Sequence, residues 1–306
     1  MEVGSFYIST EEDCHMRNHK WIVSSMLLLI VLALCSCGVK DETGIIKNLL
    51  KNKSLEMSTD SVALRTVNVI DTTSYMLGND HKCSVTAEAA ITYPDGYKDE
   101  DSTQKLQKIF SSSVLDVPAD SIKLSEAFHR FVKNVLNQYG EDVDEVEFDK
   151  DERVVVYNYN SRTSIKPVYN KNGIISFCKE EITKKNDKVT MTSHSYINIS
   201  LPSMNVLELS SLFPEESISD ISDLLKRKLL VQLNAKDEAD LIDMGYFNLD
   251  NLVANNNFSI GEEGITWTFG IFDIACYSVG ETVITLDYES LKPYMLENNE
   301  IADLVK

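Results

Sequence analysis

The chain is poor in basic residues, and this scarcity excludes a class of partner. Lys and Arg number 29 against 48 Asp and Glu, which gives a formal net charge of −19. Nucleic-acid binding rests on Lys and Arg side chains that neutralise phosphates, so this acidic chain is expected to repel nucleic acid and anionic lipid. A surface of this charge attracts cationic partners instead.

Cysteine is too sparse for a disulfide scaffold or a zinc site. The chain has six cysteines, with no CxxC pair and no Cys/His spacing typical of zinc ligands. Cys83, Cys178 and Cys276 are the three that lie beyond residue 37. An odd number of cysteines outside the cytoplasm predicts at least one free thiol. We interpret all three as buried cysteines that act as small apolar residues, and one disulfide bond is the alternative. No cofactor is expected.

Catalytic and metal-binding motifs are missing as well. The sequence has no GxSxG, no HExxH and no Gly-rich phosphate loop. The SxxK match at residues 102–105 has no companion motif and is interpreted as a solvated helix start. His194 stands between two serines, but neighbours on a strand point to opposite faces. The acidic residues 141–152 lack the central glycine of a calcium loop, which favours a solvated connector over a calcium site.

What the chain does contain is an apolar run over residues 21–34 behind a short basic segment with Arg17 and Lys20. A positive start, an apolar middle and a small residue before a cysteine predict a secretory signal, with the true start at Met16. Spanning a membrane takes about 20 apolar residues, and this run is shorter and contains two serines. A spanning anchor and a buried helix are the alternatives.

The sequence L-C-S-C at residues 34–37 resembles the bacterial lipobox. The resemblance implies cleavage between Ser36 and Cys37 and a lipid on Cys37, which anchors the mature chain to the membrane. Lys40, Asp41 and Glu42 resemble the export signal of surface lipoproteins in the Bacteroidetes; an ordinary charged tether is the alternative. We expect an extracytoplasmic lipoprotein of the outer membrane, on its periplasmic or surface face.

Hydrophobic periodicity predicts the fold class. Alternation favours strands over 61–70 and 82–93 and a three-stranded meander over 152–201, and later strands over 258–260, 265–271 and 282–286. Helical spacing favours helices over 104–111, 121–139, 206–213, 218–233 and 288–295. Trp267 is predicted to be in the core. Because regular βαβ alternation is missing, the pattern predicts an α+β fold of antiparallel sheets with packed helices.

We divide the chain into five segments on this basis. They are a signal peptide over 1–36, a lipidated tether over 37–60, an N-terminal α+β part over 61–204, a C-terminal domain over 205–296 and a tail over 297–306. The four acids and two bases of residues 1–36 leave a net charge of −17 on the mature part.

The C-terminal third resembles the C-terminal domain of the lysozyme-sensing anti-sigma factor RsiV, a domain of unknown function. Residues 207–213 (L-E-L-S-S-L-F) resemble the L-x-L-x-x-L-F segment with which that domain begins, and residues 257–269 resemble its next pair of strands. Residues 272–280 (F-D-I-A-C-Y-S-V-G) are similar to its Y-E-I-A-P-Y-A-x-G run, with Cys276 in place of the usual proline. His194 falls where the family has a Gly-Gly-Ala-His-Gly loop, whose glycines are missing here.

This resemblance implies a module that binds rather than catalyses. The expected function is an envelope lipoprotein whose domain binds a cationic lysozyme-like protein or cell-wall glycan. The alternatives are an enzyme that modifies cell-wall glycan and a structural component of an outer-membrane assembly. An anti-sigma role is not implied, because about 20 residues before the apolar run are too few for a sigma-binding domain.

Overall fold

The computed structural model describes residues 60–77, 81–118, 123–142, 147–148, 154–155 and 158–305. The predicted lipidation and export residues, Ser36, Cys37, Lys40, Asp41 and Glu42, lie outside these ranges. The described residues belong to one compact unit. Among the helices that are described, none has the length and apolar character needed to cross a membrane.

The described residues form strands and helices in a mixed order. The strands are β1 Ala63–Leu77, β2 His81–Gly96, β3 Glu147–Phe148, β4 Val154–Val155, β5 Tyr159–Lys171, β6 Ile174–Lys185, β7 Lys188–Ser200, β8 Asn205–Leu207, β9 Phe258–Ile260, β10 Gly264–Phe269 and β11 Thr282–Asp287. The helices are α1 Glu100–Ser113, α2 Leu124–Asp142, α3 Leu209–Leu212, α4 Ile218–Leu233, α5 Glu238–Asp243 and α6 Tyr288–Leu291. Short 3₁₀ turns at Glu215–Ser217, Leu249–Asn251, Lys292–Tyr294 and Ala302–Leu304 complete the chain.

The strands make a six-stranded sheet in the order β1-β2-β5-β6-β7-β8, a three-stranded sheet β11-β10-β9, and a small β3-β4 pair. The predicted α+β class is therefore confirmed. One pair departs from the antiparallel expectation, because β2 and β5 run parallel. Parallel neighbours need a long crossover connection, and here that connection contains α1 and α2.

Two tight turns set the register of the β5-β6-β7 meander. Asn172 and Gly173 have φ values of 53° and 74°, and Asn186 and Asp187 have φ values of 46° and 65°. Positive φ at both central residues is the geometry that hairpin turns favour, and Asn, Asp and Gly tolerate it best. The predicted turns at Asn172–Gly173 and within residues 184–187 are thus observed.

The first hydrophobic core lies between the six-stranded sheet and helices α1 and α2. On β2, Cys83, Val85, Ala87, Ala89 and Ile91 alternate with more exposed residues and are buried, as predicted. Phe128, Phe131, Val132, Val135 and Leu136 form the buried stripe of α2, and His129 lies outside this stripe, on the exposed side of the helix. Phe110 of α1 meets Phe177 of β6 edge-on, with ring centroids 5.0 Å apart.

The second core belongs to the C-terminal part. Trp267 is fully buried between Phe213 and Phe258, with ring centroids 6.5 Å and 6.0 Å away. Its indole N–H donates to the carbonyl of Asn255 over 3.2 Å, which satisfies the one polar atom of the side chain. Helix α4 contributes Ile221, Leu225 and Leu229 to the same core.

Polar side chains join β6 and β7 to β9. Asn198 donates to the carbonyl of Phe258 over 2.8 Å and accepts from the N–H of Ile260 over 3.0 Å. The Ser176 hydroxyl donates to the carbonyl of Ile260 over 3.2 Å. Both side chains are buried, so these bonds satisfy groups that burial would otherwise penalise. Because side chains alternate along a strand, β6 and β7 turn apolar residues to the first core and polar ones to β9.

Several predicted boundaries need correction. The helix predicted over 104–111 spans Glu100–Ser113, since Asp99 caps its start by accepting from the N–H of Ser102. Val206 lies on β8 rather than in a helix, because it pairs with Ile199 of β7. Val231, one of the apolar residues of α4, is 73% exposed. In the predicted tail, Ile301 is buried in the second core.

Candidate functional site

A histidine between two carboxylates is the most distinctive polar group in the described residues. His194 lies on β7, and its Nδ1 is 2.5 Å from Oε2 of Glu281. Its Nε2 lies 3.5 Å from Oε1 of Glu180 on the neighbouring strand β6. The backbone N–H of His194 also donates to Oε1 of Glu281 over 2.9 Å. The sequence pattern gave this histidine no partner, whereas the fold gives it two.

Asn257 fixes the backbone around His194. Its side-chain oxygen accepts from the N–H of Tyr196 over 3.0 Å. Its amide group donates to the carbonyl of His194 over 3.1 Å and to the carbonyl of Thr268 over 2.9 Å. One side chain therefore ties β7 of the large sheet to β10 of the small one. Asn257 is the first residue of the segment 257–269 that resembles the RsiV pair of strands, and these three bonds show what its side chain does in this fold.

The backbone before β11 brings Glu281 to His194. Gly280 ends the segment 272–280 with φ at 80°, in the left-handed region that glycine adopts without strain. A Cβ on this glycine would meet no atom within 4 Å, so its backbone conformation rather than crowding makes glycine suitable. Glu281 follows directly and is the least exposed member of the trio, with 14% of its side chain accessible.

Cys178 and Tyr196 lie beside this trio and are partners in the β6-β7 register. Burial raises the pKa of the Cys178 thiol, and the carboxylates of Glu180 and Glu281 raise it further. Burial likewise raises the pKa of the Tyr196 hydroxyl. Both groups stay protonated at neutral pH, so Cys178 is not an activated nucleophile.

The arrangement orients an imidazole without supplying a nucleophile for it. Both ring nitrogens face carboxylate oxygens, and a histidine that acts as a base needs one nitrogen turned to a hydroxyl, thiol or water. Ser195 is the exposed neighbour on the opposite side of the strand, as the alternation predicts. The geometry fits a hydrogen-bonded link that holds the segment before β11 against the large sheet.

The other candidate groups are dispersed. Within the described ranges, no cluster of three or more His, Cys, Asp or Glu is placed to hold a metal ion. Cys83, Cys178 and Cys276 are free, and Cys83 is buried. Of the acidic segment 141–152, the structure describes only residues 141–142 at the end of α2 and residues 147–148 in β3. Thr103 of the SxxK match is buried and bonds to the carbonyls of Tyr97 and Asp99.

The C-terminal part also has a groove, lined by residues of the segments 208–218 and 254–256. Its cavity volume is about 560 Å³. Its polar lining includes Glu208, Glu215, Asn255 and Asn256. Asn256 uses its side-chain oxygen to accept from the N–H of Leu209 over 2.9 Å, which fixes one wall. This volume lies in the range of small-molecule sites.

Comparison with known proteins finds a likeness to a family of unknown function and no activity. Residues 210–289 match the model of a family described as a protein of unknown function, DUF3298. No curated protein matches the chain. A crystal structure of a DUF3298 member from Bacteroides fragilis NCTC 9343 is similar, with a TM-score of 0.64 and 16% identity over 80% of this chain and 98% of that one. A DUF3298 protein from Pseudomonas aeruginosa PAO1 gives a TM-score of 0.50 and 13% identity over 78% and 96%.

These likenesses support the fold and the domain. At such identities the solved structures show a shared fold only. The matched residues fall within the predicted C-terminal domain of 205–296. The more specific likeness to the lysozyme-sensing anti-sigma factor stays a prediction.

Proposed function

We propose that this chain, with its DUF3298 domain, is a lipoprotein of the bacterial envelope whose folded part binds a ligand and does not catalyse. Cys37 carries the lipid, and residues 38–60 tether the domain to the outer membrane. The ligand is a cationic, lysozyme-like protein. The resemblance suggests this class of ligand, and the charge distribution of the C-terminal domain supports it.

One observation carries this proposal. Residues 237–291 contain eleven Asp and Glu and no Lys, Arg or His. This stretch covers most of the DUF3298 match and forms α5, β9, β10, β11 and the loops between them. Lys226 pairs with Glu238 over 2.9 Å and Lys171 pairs with Glu262 over 3.1 Å, so two acids of this stretch are neutralised from outside it. The acids that remain outnumber these lysines, and their net negative charge attracts and orients a cationic protein.

The proposal that the chain is not an enzyme rests on the His194 geometry. Both of its ring nitrogens face carboxylates, and the nearby Cys178 thiol is kept protonated by burial. These contacts favour a structural role for the trio. Catalytic action on cell-wall glycan would need an activated nucleophile, or a general acid beside a substrate cleft.

Titration calorimetry tests the proposed partner. Lysozyme is titrated into the full chain at low and at moderate ionic strength. We expect saturable binding that weakens as salt rises, because the Debye length shrinks from about 30 Å at 0.01 M to about 8 Å at 0.15 M. The absence of heat at both ionic strengths would reject lysozyme as the partner. An affinity that does not change with the salt concentration would contradict an electrostatic basis for binding.

Cell-wall glycan is the second candidate ligand, and the groove at Glu208 and Asn256 favours it. Amide and carboxylate side chains are suited to sugar hydroxyls, and the volume of about 560 Å³ fits a short oligosaccharide. Titration with soluble peptidoglycan fragments tests this role. Binding that is lost in Glu215→Gln but kept in Glu289→Gln would assign the ligand to the groove.

A further inference from the structure

Two loops of the C-terminal domain, residues 244–248 and residues 270–281, expose large apolar side chains. Met244 and Phe247 lie on the first loop, and Phe272 and Tyr277 lie on the second. These four residues, here called the aromatic face, are between 44% and 59% exposed. The rings of Phe272 and Tyr277 are 6.0 Å apart. Exposed apolar residues that occur singly are ordinary, whereas a group of them marks an interaction site.

Hydrogen bonds join the two loops into one surface. The N–H of Phe247 donates to the carbonyl of Ile274 over 3.0 Å, and the N–H of Cys276 donates to the carbonyl of Gly245 over 2.9 Å. Gly245 has φ at 98°, and a Cβ there would lie 2.8 Å from the Cys276 sulfur, so only glycine allows this approach. The face is therefore held in place before any partner arrives, which lowers the entropy cost of binding.

The backbone of Phe272 is unusual for an exposed aromatic residue. Its φ is 72°, in the left-handed region that a bulky side chain rarely adopts. The next residue, Asp273, stabilises the turn by accepting from the N–H of Gly270 over 2.7 Å. Burial of the ring does not offset this strain, because 59% of Phe272 is exposed. Strain of this kind is kept where a surface has a task beyond folding.

The charged residues on and beside these two loops within residues 237–291 are all acidic. Asp243 at the end of α5, Asp250 in the 3₁₀ turn Leu249–Asn251 and Asp273 on the second loop are all exposed. These loops belong to the 55-residue stretch that contains no Lys, Arg or His. An apolar centre with an acidic rim is complementary to a partner whose apolar centre is surrounded by Lys and Arg.

We propose that the aromatic face is the surface on which the cationic partner protein docks. This rests on the proposed function and assigns it to residues: Phe272 and Tyr277 are the anchors, and Asp243 and Asp250 steer the partner and fix its orientation. Buried aromatic anchors within a polar rim carry most of the affinity in protein interfaces.

The test compares variants of the full chain with lysozyme as the probe. Phe272→Asn and Tyr277→Ser should each weaken binding at least tenfold. Asn adopts the left-handed conformation more readily than Phe, so Phe272→Asn should leave the melting temperature unchanged or slightly raised. Val231→Ser and Met191→Thr are matched controls, since both side chains are more than half exposed elsewhere. They should change affinity less than twofold.

A second set of variants, which removes acidic charges, distinguishes electrostatic steering of the partner from its contact with the aromatic side chains. Asp243→Asn with Asp250→Asn should slow association and reduce its salt dependence, while Glu289→Gln, in the same acidic stretch, should do neither. Lysozyme binding that survives the Phe272 and Tyr277 changes would overturn the aromatic face as the surface and leave the proposed function intact. Failure of the unaltered chain to bind at roughly 1 mM lysozyme would overturn both. If the unaltered chain binds a neutral chitin oligosaccharide and Phe272→Asn does not, the aromatic face binds glycan. This result would overturn the protein-docking proposal.

Discussion

Replacing Asn257 should weaken the junction between the two sheets and lower the stability of the fold. Its side chain makes three hydrogen bonds, to the N–H of Tyr196 and to the carbonyls of His194 and Thr268. Asn257→Ala removes all three and leaves partly buried backbone groups without partners. At about 1 kcal/mol for each bond, the loss is about 3 kcal/mol. For a folded part of this size that corresponds to a melting temperature lower by about 6–12 °C.

Thermal unfolding followed by circular dichroism measures the effect. Asn257→Asp is the sharper variant, because aspartate keeps the acceptor for Tyr196 but cannot donate to either carbonyl, so we expect a destabilisation at least as large. Asn251→Ala is the matched control, since that exposed amide makes only a 3.4 Å bond to the carbonyl of Asp273. If Asn257→Ala melts within error of Asn251→Ala, Asn257 does not hold the sheets together.

Three further predictions concern the core, the thiols and the anchor. Trp267→Ala should cost about 3–5 kcal/mol, because the indole is fully buried between two aromatic rings; an unchanged denaturant midpoint would contradict this. A thiol reagent at mildly alkaline pH, followed by peptide mapping, should label Cys276 before Cys178, because a hydrogen bond to Ser278 lowers the pKa of the Cys276 thiol and burial raises that of Cys178. Labelling that starts at Cys178 would refute this order. Labelled fatty acid should enter the unaltered chain and not Cys37→Ala, and equal incorporation would exclude Cys37 as the lipid site.

Local patterns predicted most elements, because they depend on residues close in sequence. The helix at Ile218–Leu233 and the strand at Phe258–Ile260 have the predicted bounds. The apolar face of β2 is buried as its alternation required. The first helix was predicted too short because its initial residues, Glu100 and Asp101, carry no apolar signal and the cap at Asp99 determines where it starts.

Long-range contacts account for what the sequence did not predict. The parallel pairing of β2 with β5 depends on how the chain crosses over the sheet, which periodicity does not encode. His194 and Glu281 are 87 residues apart, so no spacing pattern links them. One local signal was present, since a glycine at the end of the segment 272–280 allows the left-handed backbone that precedes Glu281. Its connection to His194 required the packed structure.

Hydrogen exchange of the full chain, alone and with saturating lysozyme, tests most directly whether the C-terminal domain binds a cationic protein through the aromatic face. Binding should slow amide exchange in residues 242–253 and 270–281, and leave the hairpin of β6 and β7 around residues 184–191 unchanged. Protection confined to other segments, such as the groove at residues 208–218, or no protection in the presence of excess lysozyme, would contradict it.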